Sequence, residues 1–404
     1  MQTDLERMKR YLAAIKRDIE YEKVLCVEKG SCEQKTWSID EDVPSLPASY
    51  VKDLGRRLWN ARHNIRPLKK RTISKQTARA EGNGEEILLQ GFNWESWKHS
   101  WYATLEEQAD AIADAGFSMI WLPPPTESVS PQGYMPRDLY CLNSQYGTED
   151  ELVELIQKFQ SRSLKVLGDA VLNHRCAHEQ NDNGIWNQFG GRMKWDARAI
   201  VKDDPNFHGQ GNFGSGDHFT AAPNIDHTQD FVKQDIGEWM VWLRTNIGFD
   251  GWRLDFVKGF HGSHVKDYLE VSHPLFSVGE YWDALSYDWD GTPNLNQDAH
   301  RQRTVDWINA AGGLSTAFDI TTKGILHAVF ERCEYWRLKD GKGKPPGLLG
   351  WWPSRSVTFL ENHDTGSSQG HWRFPHHALE QGYAVRVVLL LFLSHVYLLM
   401  SSHF

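Results

Sequence analysis

The sequence has little of what secreted, metal-stapled, nucleic-acid-binding or membrane-spanning chains need. It opens Met1-Gln2-Thr3-Asp4-Leu5-Glu6, without the apolar core of a secretory signal peptide, and it is neither serine-rich nor poor in acids as a transit peptide should be. Cysteine is scarce: Cys26, Cys32, Cys141, Cys176 and Cys333 are scattered and odd in number, which argues against a zinc site or a disulfide framework and for a reducing interior. Positive charge is not in surplus, since 44 Lys and Arg stand against 53 Asp and Glu for a net charge of -9, and this excludes a nucleic-acid footprint for the whole chain. The one long apolar run, Val385 to Met400, is interrupted by Arg386 and His395 and is shorter than the roughly 20 residues that cross a membrane, so an anchor is not expected. Nothing in the sequence fixes an oligomeric state.

Aromatic and apolar residues are plentiful. A chain of 404 residues that is 40% hydrophobic can bury a large core, and its 18 Trp and 13 Tyr exceed what a core requires. Flat apolar rings stack well on sugar faces, so part of this aromatic surface is expected to meet carbohydrate. Three parts follow along the chain. Residues 1–85 are charged, with Leu5, Met8, Leu12, Ile15 and Ile19 spaced as one stripe of an amphipathic helix and a basic run from Arg56 to Arg79. Residues 86–384 alternate strand-like and helix-like segments, and 385–404 form an aberrant apolar tail.

Within the middle part, strands are expected at Ile87 to Trp94, Met119 to Pro123, Leu164 to Val171, up to Asp255, up to Glu280, Thr316 to Ile320 and Val357 to Leu360. Helices are expected at Thr104 to Ala115, Gln229 to Thr245 and Thr322 to Trp336. The Gly- and Asn-rich stretch 172–224 is too long for an ordinary loop and reads as an inserted subdomain. Three strand candidates carry a carboxylate at or near their C-terminal ends: Asp255, Glu280 and Asp364. In a parallel barrel that end builds the active site, so the three would converge on one pocket and suggest glycosidic bond cleavage. Arg253 and Asp255 lie two apart on one strand face, which holds a guanidinium beside a carboxylate and favours its ionised, nucleophilic form. Glu280, next to Tyr281 and Trp282, suits the opposite role of proton donor, because desolvation raises a carboxyl pKa.

The stretches Gly168-Asp169-Ala170-Val171-Leu172-Asn173-His174-Arg175, Arg253 to Gly259, Gly279-Glu280-Tyr281-Trp282 and Glu361-Asn362-His363-Asp364-Thr365 resemble the four sequence regions of the α-amylase family, in their usual order. Gln90 to Ser96, Trp121 to Pro125 and Gly133 to Pro136 resemble the plant members more closely, and Asn224 to His227 with Asn296 to His300 are similar to the intracellular, plastid type. The resemblance runs from about Glu86 to about Tyr383. It implies a (β/α)8 TIM barrel acting on starch and α-glucans by endo-hydrolysis with retention, in a plastid, whereas the residues alone favour the cytoplasm. Transfer to another sugar stays open, because water and sugar compete for the same intermediate.

By resemblance Asp255 is the nucleophile, Glu280 the acid and base, and Asp364 the carboxylate that orients the distorted sugar. His174, His363 and Tyr134 face that sugar, Lys258 contacts substrate, and Trp351 and Trp352 match a paired-Trp platform for starch granules. Asn173 and the main chain at Gly259 match family calcium ligands. Secreted plant relatives are acidic where this chain has Asn224, and nearby acidic positions read Gly214 and His218, so calcium binding is expected to be weak or partial, with Asp226 a structural partner. After Tyr383 the family's eighth strand and terminal β domain are not found. The expectation is a barrel incomplete at strand eight, with Val385 to Leu389 as the segment able to fill the gap and Leu390 to Met400 left uncovered. An open edge would also suit a catalytically silent starch-binding or regulatory protein.

Overall fold

The computed structural model describes residues 86–366, 368–391 and 397–401, so the stripe from Leu5 to Ile19 and the basic run from Arg56 to Arg79 lie outside the described residues. Eight short parallel strands form the barrel: β1 Ile87–Gln90, β2 Met119–Trp121, β3 Lys165–Ala170, β4 Gly251–Leu254, β5 Phe276–Gly279, β6 Thr316–Phe318, β7 Ser356–Thr358 and β8 Tyr397–Ser401. Neighbours in sequence are neighbours in the ring, and β8 closes it by pairing with both β1 and β7. Parallel strands need a crossover between them, and helices supply it. These are α1 Trp101–Asp114, α2 Glu149–Gln160, α3 Asp230–Trp242, α4 Gly262–Ser272, α5 Asp298–Ala310, α6 Ile320–Arg332 and α7 Leu379–Leu391.

The local reasons are readable in single elements. α2 starts with a capping box, Thr148 Oγ1 accepting from Glu151 N and Thr148 N donating to Glu151 Oε2, worth about 1 kcal/mol. Its Leu152, Leu155, Ile156 and Phe159 recur at helical spacing and are the residues it buries. In the barrel wall Val166, Leu167, Trp121, Trp252, Val278 and Val357 are fully enclosed. Gly251 is required where β4 meets β5, since a Cβ there would stand 2.0 Å from the Phe276 carbonyl oxygen.

Between β3 and α3 the chain is irregular apart from a small ribbon, Glu179–Gln180 with Trp186–Gln188, and one 3-10 turn, Ala197–Ala199. One buried side chain staples it. Arg175 donates to the carbonyls of Arg137 (2.8 Å), Met193 (2.9 Å) and Gly190 (3.0 Å), with its guanidinium over the rings of Phe189 and Trp195.

Two expectations for the tail are corrected. Val385 to Leu389 is not a strand but part of α7, and the place beside β1 is taken by Tyr397–Ser401, with Leu88 opposite Leu399 and Val357 opposite Tyr397. A parallel strand cannot directly follow β7 without a crossover, so the helix comes first and the strand is displaced toward the C-terminus. The backbone ring is closed by tail residues expected to have no partner. Among the described residues no helix is long and apolar enough to cross a membrane.

Candidate active site

Asp255 directly follows β4 and Glu280 directly follows β5, and the backbone N–H of each extends the ladder to the preceding strand, at Ala170 O (3.1 Å) and Leu254 O (2.9 Å). Between them sits Arg253, fully buried in β4 and in register with Asp169 of β3 and Val278 of β5. Its Nη1 donates to Asp169 Oδ1 (2.8 Å) and Asp255 Oδ1 (2.7 Å). Its Nη2 lies 2.7 Å from Glu280 Oε1, an ion pair whose angle falls short of a hydrogen bond. The guanidinium also faces the rings of Trp121 and Tyr134, at 4.8 and 5.6 Å.

One cation therefore serves three buried carboxylates, and their acidities show it. Burial is the main cause that raises Glu280 to about 7, with Arg253 opposing it and Asp255 and Asp364 adding to it. Asp169 is raised to about 7, again first by burial. Asp255 was expected to be held ionised by its arginine; instead burial outweighs Arg253 and the shift is upward. Asp364 lies in the loop after β7, keeps 34% of its side chain exposed, and is also raised, first by the partial burial of its carboxyl and against the pull of Arg253.

Asp169 is the residue that sequence reasoning missed. It accepts from Trp121 Nε1 (3.0 Å), Tyr134 Oη (2.8 Å) and Arg253, so it fixes an aromatic wall and the shared cation together. A carboxylate inside a buried strand, with apolar neighbours on both sides, was the signal.

Tyr134 and His363 stack at 5.1 Å and 8°, with Trp94 stacked against both. Gln90 Nε2 lies 2.9 Å from His363 Nδ1, and an amide nitrogen only donates, so the ring proton is on Nε2, facing Asp364 Oδ2 at 3.5 Å. His174 Nε2 donates to the Tyr134 carbonyl (2.9 Å), and its Nδ1 faces Asn173 Nδ2 (3.4 Å). Both nitrogens of His174 are engaged, so a sugar hydroxyl would have to displace one of these partners. Burial depresses His174 to about 4 and His363 to about 3, leaving both neutral near pH 7.

The other expected site residues lie outside this cluster. Lys258 is held by Asp217 Oδ2 and Asp283 Oδ1, each at 3.0 Å, bridging the inserted segment and the loop after β5. Trp351 and Trp352 precede β7, at the opposite end from the carboxylates; Trp351 is 38% exposed over Arg301, whereas Trp352 is half-buried against the core.

Around the expected calcium donors the chain bonds to itself. Asn173 Nδ2 donates to Asn224 Oδ1 (3.2 Å), and the Lys258 carbonyl beside Gly259 accepts from Asp217 N (3.0 Å). Among the described residues there is no group of three or more His, Cys, Asp or Glu arranged to hold a metal.

A family model for the α-amylase catalytic domain matches residues 103–205. The chain is 66% identical over 304 residues to chloroplastic alpha-amylase 3 of Arabidopsis thaliana, covering 75% of this chain and 34% of that protein, so it spans about a third of that relative. It is 48% identical over 303 residues to probable alpha-amylase 2 of Arabidopsis thaliana, covering 75% of this chain and 72% of the relative. Among solved structures, wild type alpha-amylase I of Eisenia fetida superposes with a TM-score of 0.58 at 16% identity, covering 81% of this chain and 69% of that one, which speaks for the fold alone.

Proposed function

The chain belongs to the α-amylase family, and from that premise we propose that it is a glycoside hydrolase that cleaves internal α-1,4-glucosidic bonds of starch and related glucans with retention. The observation that carries the reading is the sharing of Arg253 by Asp255 and Glu280 at the C-terminal mouth of the barrel. Carboxyl groups bound to one guanidinium are close, in keeping with the separation of about 5 Å that double displacement needs.

Asp255 attacks the anomeric carbon while Glu280, protonated near neutral pH, gives its proton to the leaving glycosidic oxygen. Glu280 then takes a proton from water, the water oxygen displaces Asp255, and the configuration is retained. Asp364 and His363 orient the sugar at the cleavage point, Tyr134 offers it a ring face, and His174 supplies a hydroxyl contact after exchanging a partner. Lys258 reaches substrate only on leaving Asp217 or Asp283, so its role is to hold the cleft wall in the free enzyme. Trp351 provides a granule contact away from the cleft. A plastid setting belongs to the same reading, supported by the chloroplastic relative.

The silent-binding alternative drew on an open barrel edge, and closure through Tyr397–Ser401 removes that motive. Purified protein is expected to release reducing ends from soluble starch, with the α-anomer first in a proton NMR time course. Release of the β-anomer would remove the retaining mechanism, and granule binding without turnover would restore the silent reading.

A further inference from the structure

The inserted segment is tied back to its own root, just after β3, by a buried amide that uses every bond it can make. Asn224 Nδ2 donates to Asp204 Oδ2 (2.7 Å) and to the Phe219 carbonyl (2.8 Å). Its Oδ1 accepts from Phe219 N (2.7 Å) and from Asn173 Nδ2 at the exit of β3 (3.2 Å). Two N–H groups and two lone pairs are the full capacity of an amide. The orientation is unambiguous, because Nδ2 faces a carboxylate and a carbonyl while Oδ1 faces two N–H donors.

The acidic groups around it are equally occupied. Asp204 accepts from Asn206 N and Phe207 N on one oxygen and from Asn224 N and Nδ2 on the other. Asp226 accepts from Thr228 N and Oγ1 on one oxygen and from Asn212 N and Gln229 Nε2 on the other. A hard cation wants six to eight oxygens with their lone pairs free. Here the lone pairs of Asp204 and Asp226 accept hydrogen bonds, and Asn224 directs its two N–H groups at Asp204 and the Phe219 carbonyl.

We propose that the Asn224 amide replaces a bridging calcium ion in this chain, so that docking of the inserted segment on the barrel is independent of metal. The consequence reaches the cleft: Asn224 holds both backbone polar groups of Phe219, whose ring stacks on His174 at 3.9 Å. The inference concerns this junction alone and stands whether or not the catalytic reading does.

The test is thermal unfolding of the full chain in EGTA and in millimolar calcium. The wild type is expected to unfold within about 1 °C in both, since a ligand stabilises only the state it binds. Asn224→Asp loses both donors and sets a second carboxylate against Asp204. It is expected to unfold about 4 °C or more lower in EGTA and to recover with calcium. Equilibrium dialysis of the wild type against about 10 μM calcium is expected to leave no stoichiometric ion, and needs no variant to fold. A wild type that loses about 4 °C or more in EGTA and regains it with calcium would overturn the proposal. So would one calcium retained per chain, or an Asn224→Asp variant as stable in EGTA as the wild type.

Discussion

Replacing Arg253 by Met tests the central electrostatic claim directly. The side chain is fully enclosed, and its guanidinium meets Asp169, Asp255 and Glu280 at 2.8, 2.7 and 2.7 Å. Met fills a similar volume but leaves three buried carboxylates without a counter-charge. Removing one partner of a buried ion pair costs about 3–5 kcal/mol, and that loss is expected in urea unfolding at pH 7. The sign of its pH dependence follows from the raised carboxyl pKa values, about 7 for Asp169 and Glu280. A carboxyl whose folded pKa lies above its unfolded value keeps its proton longer in the folded state, so stability falls as pH rises toward the folded pKa. Without the arginine these values climb further. The deficit of Arg253→Met against wild type should therefore shrink between pH 7 and pH 5, as the orphaned carboxyls become neutral. Arg253→Lys keeps a charge but not the planar fork, so it should recover part of the stability while turnover of soluble starch stays far below wild type. A loss under about 1 kcal/mol at pH 7, or the same loss at both pH values, would refute the shared-cation account.

Asp255→Asn should keep starch binding and lower kcat by a factor of about a hundred or more, and a smaller loss in a reducing-sugar assay removes Asp255 as nucleophile. The alkaline limb of kcat/KM should fall near pH 7, where free Glu280 loses its proton, and a rate still level at pH 9 would contradict the assigned acid. His174 and His363 titrate in the folded chain at about 4 and about 3, below the unfolded value of about 6.5, so the stability they contribute is present above 6.5 and lost as pH falls toward 3. Calorimetric unfolding temperatures of His363→Gln should consequently decline less steeply than those of wild type between pH 6.5 and pH 4. Trp351→Ala should reduce adsorption to starch granules several-fold, read as depletion from the supernatant, and unchanged adsorption would make Trp351 an ordinary surface residue.

The barrel was legible because its strands are buried on both faces and so read as short apolar runs ending in polar residues. Strand positions agree with expectation to within a few residues, and most of the excess lay at the C-terminal ends: Ile87 to Trp94 narrows to Ile87–Gln90. The tail was misplaced for a reason of connectivity. Val385-Arg386-Val387-Val388-Leu389 looks like a strand by β-branching, yet the helix that starts at Leu379, where Leu379, Glu380 and Gln381 are good helix formers, runs through it. Local propensity cannot say that a parallel strand must wait for its crossover.

The candidate catalytic carboxylates were legible as types but not as a charge balance. Spacing along β4 places Arg253 and Asp255 on one face, and two residues considered alone predict a depressed carboxyl pKa. The ring brings in Asp169 from β3 and Glu280 from β5, so one positive charge is divided among three largely buried acids. That division is a property of neighbouring strands, invisible in any one segment. It also suits the proposed chemistry, because a cluster carrying one positive charge and three acids retains a proton near neutrality. Asp255 is hydrogen-bonded to the cation by Nη1, whereas Nη2 meets Glu280 at 2.7 Å without the alignment of a hydrogen bond. The hydrogen bond from Nη1 favours charge on Asp255, and in the proposed mechanism the proton rests on Glu280, raised to about 7 chiefly by burial.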